Sequence, residues 1–270
     1  MIPALIVIGT LLVLYGLLFL DSFRFKVRHA EISHAQVNRK FTLVQVSDLH
    51  DRRFGRGQEK LLAAIRESKP DLIIVTGDLF NRHRPSACRN AFAFIDGAVK
   101  VAPVCFAEGN HEAALKETGE RYIETIRKMG VAVLRDEFVD FKVFRLIGLK
   151  QYASADTLAS MLCRDRLNVV LAHRPERFPI YAQTGADVIL SGHAHGGQVR
   201  LFGHGLFAPQ QGLFPKYTSG LYLEDRSLLF VSKGLGNTIP IPRVFNTPEC
   251  NVLTFVPSDQ KGDNDVCERG

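Results

Sequence analysis

The feature that most restricts the fold of this chain is a series of short apolar runs, several of which stop at a side chain able to bind a metal. Runs at 41–46, 71–76, 101–107, 131–134, 141–149 and 167–172 read as strands, and helical spacing over 58–68, 87–99 and 117–128 falls between them. Two more strand-like runs occupy 227–232 and 251–256. Strands alternating with helices predict an α/β domain. In open α/β sheets ligands gather at the carboxyl ends of strands, where loops diverge from a rigid scaffold. Asp48 and His50 follow the first run, Asp78 the second, Asn110 the third and His173 the run at 167–172.

The run at 188–190 continues as Ser191-Gly192-His193-Ala194-His195-Gly196-Gly197-Gln198. On a continuing strand the two imidazoles would share a face without encircling an ion. Glycines at 192, 196 and 197 free the backbone to turn, so His193 and His195 can converge. Alone, such a pair is as consistent with a solvated loop as with a metal site. The ligand types at the other strand ends favour the metal. Two aspartates, one asparagine amide and four imidazoles are too many donors for one ion and suit two. A mixed nitrogen and oxygen set matches Mn²⁺, Fe, Zn²⁺ or Co²⁺ better than Mg²⁺ or Ca²⁺, and Mn²⁺ is the first expectation. Two divalent ions, two carboxylates and a bridging hydroxide leave about one positive charge, which suits a phosphoryl group. Ions roughly 3.5–4 Å apart can acidify a shared water and stabilise both oxygens of an in-line displacement. Read singly, Asp48 and Asp78 would be helix caps; in combination they read as ligands.

With 270 residues, 46% hydrophobic and 23% charged, the chain has enough apolar content for one sizeable domain, which excludes bulk disorder. The formal charge of +6 fits phosphorylated substrates or a membrane surface as partners, and equally plain solubility. No specific nucleic-acid partner is expected, and the pattern says nothing of oligomeric state. Five cysteines without C-x-x-C spacing read as reduced thiols, which argues against cysteine-ligated zinc.

Residues 2–20 are almost unbroken in apolarity and just long enough to span a bilayer. Nothing basic precedes Ile2, and 20–23 is a poor cleavage site, so an uncleaved anchor over 1–22 is expected in preference to an export signal. Arg24, Lys26 and Arg28 then predict a single-pass protein of the cell membrane with a cytoplasmic catalytic domain. An exported domain remains the alternative. Residues 23–40 read as a juxtamembrane linker in which His29 and His34 are solvated, 41–257 as the folded domain, and 258–270 as a frayed polar tail.

Asp48-x-His50, Gly77-Asp78, Gly109-Asn110-His111-Glu112, Ala172-His173 and Gly192-His193-Ala194-His195 stand in the order of the calcineurin-like metallophosphoesterase signature, and 41–256 resembles that superfamily. Together with the amino-terminal apolar segment, Gly192 to Gln198 is most similar to the bacterial YkuE/YaeI/UDP-2,3-diacylglucosamine pyrophosphohydrolase subgroup. The resemblance implies a β-sandwich of two mixed sheets flanked by helices, a four-layer αββα arrangement. It also implies that Asp48, His50, Asp78 and His195 hold one ion, and that Asp78, Asn110, His173 and His193 hold the other. His111 would not ligate. It would act beside the leaving oxygen as general acid or hydrogen-bond donor, against a structural alternative in which it caps the next helix.

The implied reaction is hydrolysis of a phosphodiester or pyrophosphate by a metal-activated hydroxide, on a lipid or lipid-linked nucleotide-sugar. A broad phosphatase or nucleotide phosphodiesterase is one alternative. A non-catalytic scaffold is another, disfavoured because all eight residues are kept. Some relatives carry an acidic residue after Gly77-Asp78; here Leu79-Phe80-Asn81-Arg82 follows, which makes Asn81 or Arg82 a candidate phosphate contact. Arg52, Arg53 and Arg243 are weaker candidates. Residues 201–217 have no period, and Phe202, Leu206, Phe207, Leu213 and Phe214 would either form an apolar lip that admits lipid chains or docks on the bilayer, or simply cover the sheet.

Overall fold

A computed structural model describes residues 6–10, 12, 13, 15, 16, 24–86, 88–239 and 241–258, with the backbone of 266–269. The described elements run β1 (Lys26–His34), β2 (Phe41–Val46), α1 (Glu59–Glu67), β3 (Leu72–Thr76), α2 (Arg89–Ala98), β4 (Val104–Ala107), α3 (Asn110–Ala114), α4 (Glu117–Lys128) and β5 (Ala132–Leu134). They continue through β6 (Glu137–Asp140), β7 (Phe144–Gly148), α5 (Ala155–Met161), β8 (Leu167–Leu171), α6 (Phe178–Ala182) and β9 (Val188–Ser191). Two small ribbons follow, β10 (Arg200–Leu201) with β11 (His204–Gly205) and β12 (Phe207–Ala208) with β13 (Gly212–Leu213). The last strands are β14 (Gly220–Glu224), β15 (Ser227–Val231), β16 (Glu249–Pro257) and β17 (Val266–Arg269).

The apolar runs lack strict alternation because both faces of their strands are covered. In β2 and β3, Leu43, Leu72 and Ile74 face a second sheet, whereas Val44, Val46, Ile73 and Val75 lie under α1, α2 and α4. One sheet has the order β17-β1-β16-β2-β3-β4-β5 and the other β14-β15-β9-β8-β7-β6. Both are mixed: β2 to β5 are parallel while β16 opposes β2, and β7, β8, β9 and β15 are parallel while β6 and β14 oppose them. Phe41 joins the two, its ring stacked 4.6 Å from Phe144 on one side and 4.6 Å from Phe255 on the other. Helices α5 and α6 cover the outer face of the second sheet, where Leu158, Phe178 and Tyr181 pack on Ile147, Val170 and Ile189. Helix, sheet, sheet and helix therefore stack as four layers.

Residues 26–34, expected as linker, are instead a strand paired with β16 along its whole length. Its Lys, Arg, His and Glu side chains mask the apolar positions Ala30 and Ile32, which are buried between the sheets. His29 is exposed, but His34 is buried, its Nε2 3.7 Å from an Asp187 carboxylate oxygen. At the other end 266–269, expected as part of a frayed tail, pair with β1; the remainder of the tail beyond 258 lies outside the described residues. The anchor expected over 1–22 also lies largely outside them. Residues 6–10 are helical with Ile6, Val7 and Ile8 exposed, and among the described residues no helix is long and apolar enough to cross a membrane.

Because Ile32 is 1% exposed in the inter-sheet core, Ile32→Ala should cost about 2–5 kcal/mol in denaturant unfolding. A variant as stable as the parent would place β1 outside the cooperative fold.

Candidate functional site

The parallel strands β2, β3 and β4 of one sheet and β8 and β9 of the other end on a common rim. Their loops deliver Asp48 and His50, Asp78, His111, His173, and His193 and His195 to one buried cluster, with the half-buried Asn110 at its edge. The loop after β2 is hung on the loop after β3: Asp48, His50 and Asp51 N–H donate to Gly77, Asp78 and Leu79 carbonyls at 3.0 Å each. The second sheet is joined across the top, where His193 N–H donates to both Asp48 carboxylate oxygens at 3.1 Å. Gly192 permits this approach. A Cβ there would lie 1.9 Å from Ser47 Oγ and 2.3 Å from Asp48 Oδ2.

Two donor sets share Asp78. In the first, His50 Nε2 lies 3.3 Å from His195 Nε2, 3.9 Å from Asp48 Oδ1 and 3.8 Å from Asp78 Oδ2. In the second, His173 Nε2 lies 3.4 Å from Asp78 Oδ2, 3.1 Å from Asn110 Oδ1 and 3.2 Å from His193 Nδ1. Donors bound at about 2.0–2.2 Å around one ion stand roughly 3.0–3.5 Å apart, so these sets fit a divalent cation each with little rearrangement. The outer hydrogen bonds fix the rings for that purpose. His173 Nδ1–H donates to Thr76 O at 2.7 Å and His193 Nε2–H donates to Gln210 Oε1, so His173 Nε2 and His193 Nδ1 are the ring atoms that face inward, free to ligate once His173 gives up its second proton.

His111 is oriented differently. Its Nδ1 accepts the Arg82 N–H at 3.1 Å, so the neutral ring carries its proton on Nε2, 3.8 Å from Asp78 Oδ2 and facing the cleft. It presents a donor to the cleft where a ligand would present a lone pair. Burial pulls the His111 imidazole down to about 4, which keeps it neutral at pH 7.

Without cations the charges adjust locally. Burial, with Asp78 adding to it, pushes the Asp48 carboxyl up to about 6. Burial would also raise Asp78, but His173, His111 and His50 outweigh it and hold that carboxyl well below its usual range. For His173 burial is overcome by Asp78 and Asp48, and the imidazole rises to about 9. Burial depresses His50 and His193 to about 3 and holds His195 well below the usual imidazole range, with the His50 ring and the Arg243 guanidinium also pushing His195 down.

The backbone carries strain at the same place. Asp48, His50, Asp78, His193 and His195 all adopt positive φ, between 48° and 66°. The turns expected from Gly196 and Gly197 are there at φ 63° and 77°, yet the histidines take left-handed conformations as well. Glu112 holds the opposite loops. Its buried carboxylate accepts N–H bonds from Gly109 (2.7 Å), Asp78 (2.9 Å) and Phe80 (3.0 Å). The sequence reading gave Glu112 no role, although a Glu three residues after a helix-capping Gly is a capping-box signal.

A cleft of about 1010 Å³ opens over the cluster. Arg82, Lys150 and Arg174 line it with Tyr152, Phe207 and Ile239. Of the phosphate contacts considered, Arg82 is there, while Arg52, Arg53 and Asn81 do not line it. Arg243 is buried behind the cluster, its Nη2 3.1 Å from His195 Nδ1, so it is no phosphate contact. Arg174 and Lys150 were not foreseen. Phe207 lines the cleft and Phe202, Leu213 and Phe214 are exposed, whereas Leu206 is half-buried.

The family model for calcineurin-like phosphoesterases matches residues 41–197. The uncharacterized metallophosphoesterase YkuE of Bacillus subtilis is 32% identical over 80% of this chain and 79% of its own length. Phosphodiesterase YaeI of Escherichia coli is 28% identical over 80% of this chain and 82% of its own. A shorter match, 32% identical over 32% of this chain and 28% of the other, is to UDP-2,3-diacylglucosamine pyrophosphatase LpxG of Chlamydia muridarum. The first curated relatives that the chain matches are spanned over 63% to 82% of their lengths.

Two measurements follow from this geometry. Divalent metal must displace the proton that His173, raised to about 9, holds at neutral pH, so between about pH 6 and 9 affinity should rise with pH by about tenfold per unit, and more steeply below about pH 6 where Asp48 must also lose a proton. Calorimetry in buffers of different ionisation enthalpy reads that proton. Glu112→Gln puts an NH₂ against backbone N–H donors, which should cost about 1–3 kcal/mol of stability and weaken metal binding in the same titration.

Proposed function

The chain belongs to the calcineurin-like phosphoesterase family, and from that premise we propose that it is a membrane-anchored hydrolase of a phosphodiester or pyrophosphate bond in a lipid or lipid-linked nucleotide-sugar. Asp48, His50, Asp78 and His195 hold one divalent cation and Asp78, Asn110, His173 and His193 the second, with manganese the first candidate. The observation that carries this reading is the convergence of those seven residues from five strand ends on a rim shared by both sheets. Two such cations supply Lewis acidity, acidifying a water and neutralising charge on the phosphoryl oxygens.

The chain's own residues do the rest. His111 Nε2–H points into the cleft and stabilises negative charge on the leaving oxygen by donating a hydrogen bond, with Nδ1 held by the Arg82 N–H. Arg82, Lys150 and Arg174 supply positive charge for the phosphoryl oxygens and for a second phosphate. Tyr152, Phe207, Pro209 and Ile239 give the same cleft an apolar side that suits an acyl chain or a base. The pyrophosphatase and phosphodiesterase names of two relatives support these substrate classes. The apolar residues 2–20 followed by Arg24, Lys26 and Arg28 support a single-pass anchor with the domain in the cytoplasm.

Full-length protein loaded with Mn²⁺ should hydrolyse a small chromogenic diester, and Asn110→Ala or His195→Ala should lose both metal content and turnover. Sustained turnover in those two variants would refute the dinuclear centre. His111→Ala should keep its metals and lose about 10²- to 10⁴-fold in kcat. Removal of residues 1–22 should depress hydrolysis of vesicle-borne pyrophosphate lipids while sparing the soluble diester. Equal rates on both substrates would favour a broad phosphodiesterase for which the anchor sets location alone.

A further inference from the structure

We infer that the rim around the cleft is itself a membrane-docking surface, built from the loops at 201–214 and 239–245, so that the cleft mouth opens onto an anionic bilayer. The inference deepens the proposed membrane attachment and rests on it. Strand directions put three segments on one rim. The segment after β9 leaves at the carboxyl edge and returns into β14, whose first residue Gly220 pairs with Val231 at the end of β15. The segment after β15 runs from that edge to Glu249, the start of β16. Since β1 is parallel to β16, with Lys26 opposite Glu249, the chain before Lys26 also leaves there.

Phe25 fixes this exit point: its ring lies 5.0 Å from that of Phe54 in the loop that follows Asp48 and His50. An anchor over 1–22 would thus be tethered on the side where the cleft opens.

Exposed large apolar side chains concentrate on the same side. Among the described residues of 24–258 there are twelve such side chains, and eight of them lie on these two loops. Phe202 is fully exposed, and Phe214, Phe245, Leu213 and Ile241 are all more than half exposed. The two loops adjoin, since Arg200 N–H donates to Val244 O at 2.9 Å. So many exposed large apolar side chains on adjoining loops are unusual on a protein that meets water alone. Arg24, Lys26, Arg53 and Arg56 are exposed around the exit point and supply the charge that draws anionic head groups. The occupant that matches apolar loops, basic residues and a chain that exits at this rim after an apolar sequence over 2–20 is a lipid surface.

The chain has no tryptophan, so Phe202→Trp, Phe214→Trp and, at the opposite edge, Leu223→Trp each install one fluorophore. Full-length variants are reconstituted in phosphatidylglycerol and phosphatidylcholine vesicles with or without brominated acyl chains. The first two should shift to the blue and lose emission to bromine, and Leu223→Trp should do neither. Three results would overturn the docking surface: unquenched emission from the two loop variants in vesicle-bound protein, equal quenching at residue 223, or failure to sediment with vesicles. A blue shift that follows protein concentration without bromine quenching would assign the patch to a second copy of the chain, also overturning it. Hydrolysis of the soluble diester in the same samples reports on the metal centre separately, so quenching without turnover would sink the proposed reaction and leave the docking surface standing.

Discussion

The charge of Asp78 is the constraint around which the site is arranged. A carboxylate buried to this depth costs several kcal/mol unless opposite charge and hydrogen-bond donors surround it. Its Oδ1 accepts the His111 N–H at 2.8 Å, and its Oδ2 stands within 3.8 Å of His50, His111 and His173 nitrogens. His173 comes from the second sheet. No single sheet edge can therefore complete the shell, and the two sheets must be stacked with their carboxyl ends aligned. Phe41, sandwiched between Phe144 and Phe255, belongs to the inter-sheet core that sets that alignment.

Strain accompanies the charge. A non-glycine residue in the left-handed region costs roughly 1–2 kcal/mol, and five of the seven proposed ligands sit there. Asp and His are among the residue types that tolerate this region best, so the residues able to bind metal are also those able to accept the turn. The conformation persists because the surroundings over-determine it. Glu112 pins the Asp78 and Gly109 loops through three N–H bonds, Asp48 is fixed by His193 N–H, and Asn246 Nδ2–H donates to the His195 carbonyl at 2.7 Å. Glu112 bears the cost of this arrangement: burial, with the nearby Asp78 charge, pushes its carboxyl up to about 7.

How much of this could be read in the sequence depended on whether a residue's role was local. Strands β2, β3, β8 and β9 were legible because burial on both faces leaves a predominantly apolar run, and their terminal ligands were legible because the motif types sit at the breaks. Strand β1 was hidden, since its charged side chains at the sheet margin make Lys26–His34 look like linker. Arg174 and Gln210 were hidden for another reason. Their function lies in contacts with His193 from 19 and 17 residues away, and nothing local marks them. Arg243 was misread because a lone Arg between Pro and Val carries no signal of depth. The apolar residues of 201–217 were legible as composition alone, and only the fold shows that Phe202 and Phe214 face solvent.

The cleft also shows how a cation can be offered to substrate at low entropic cost. Arg174 is 6% exposed, and its guanidinium is held by Gln151 Oε1 at 2.9 Å, by Glu176 Oε1 at 3.1 Å and against the Tyr152 ring at 4.8 Å. A guanidinium fixed in this way loses little rotamer freedom when an anion arrives. Its Nη1 is also 3.5 Å from His193 Nε2, whose proton goes to Gln210, so the same cation that would meet a phosphate sits against a ring of the donor cluster. Positive charge and ring orientation on this side of the cleft are thus coupled through one imidazole. Anion binding at Arg174 and metal affinity at His193 should consequently respond together to any change at Gln210, a residue on the same loop segment as the exposed apolar side chains.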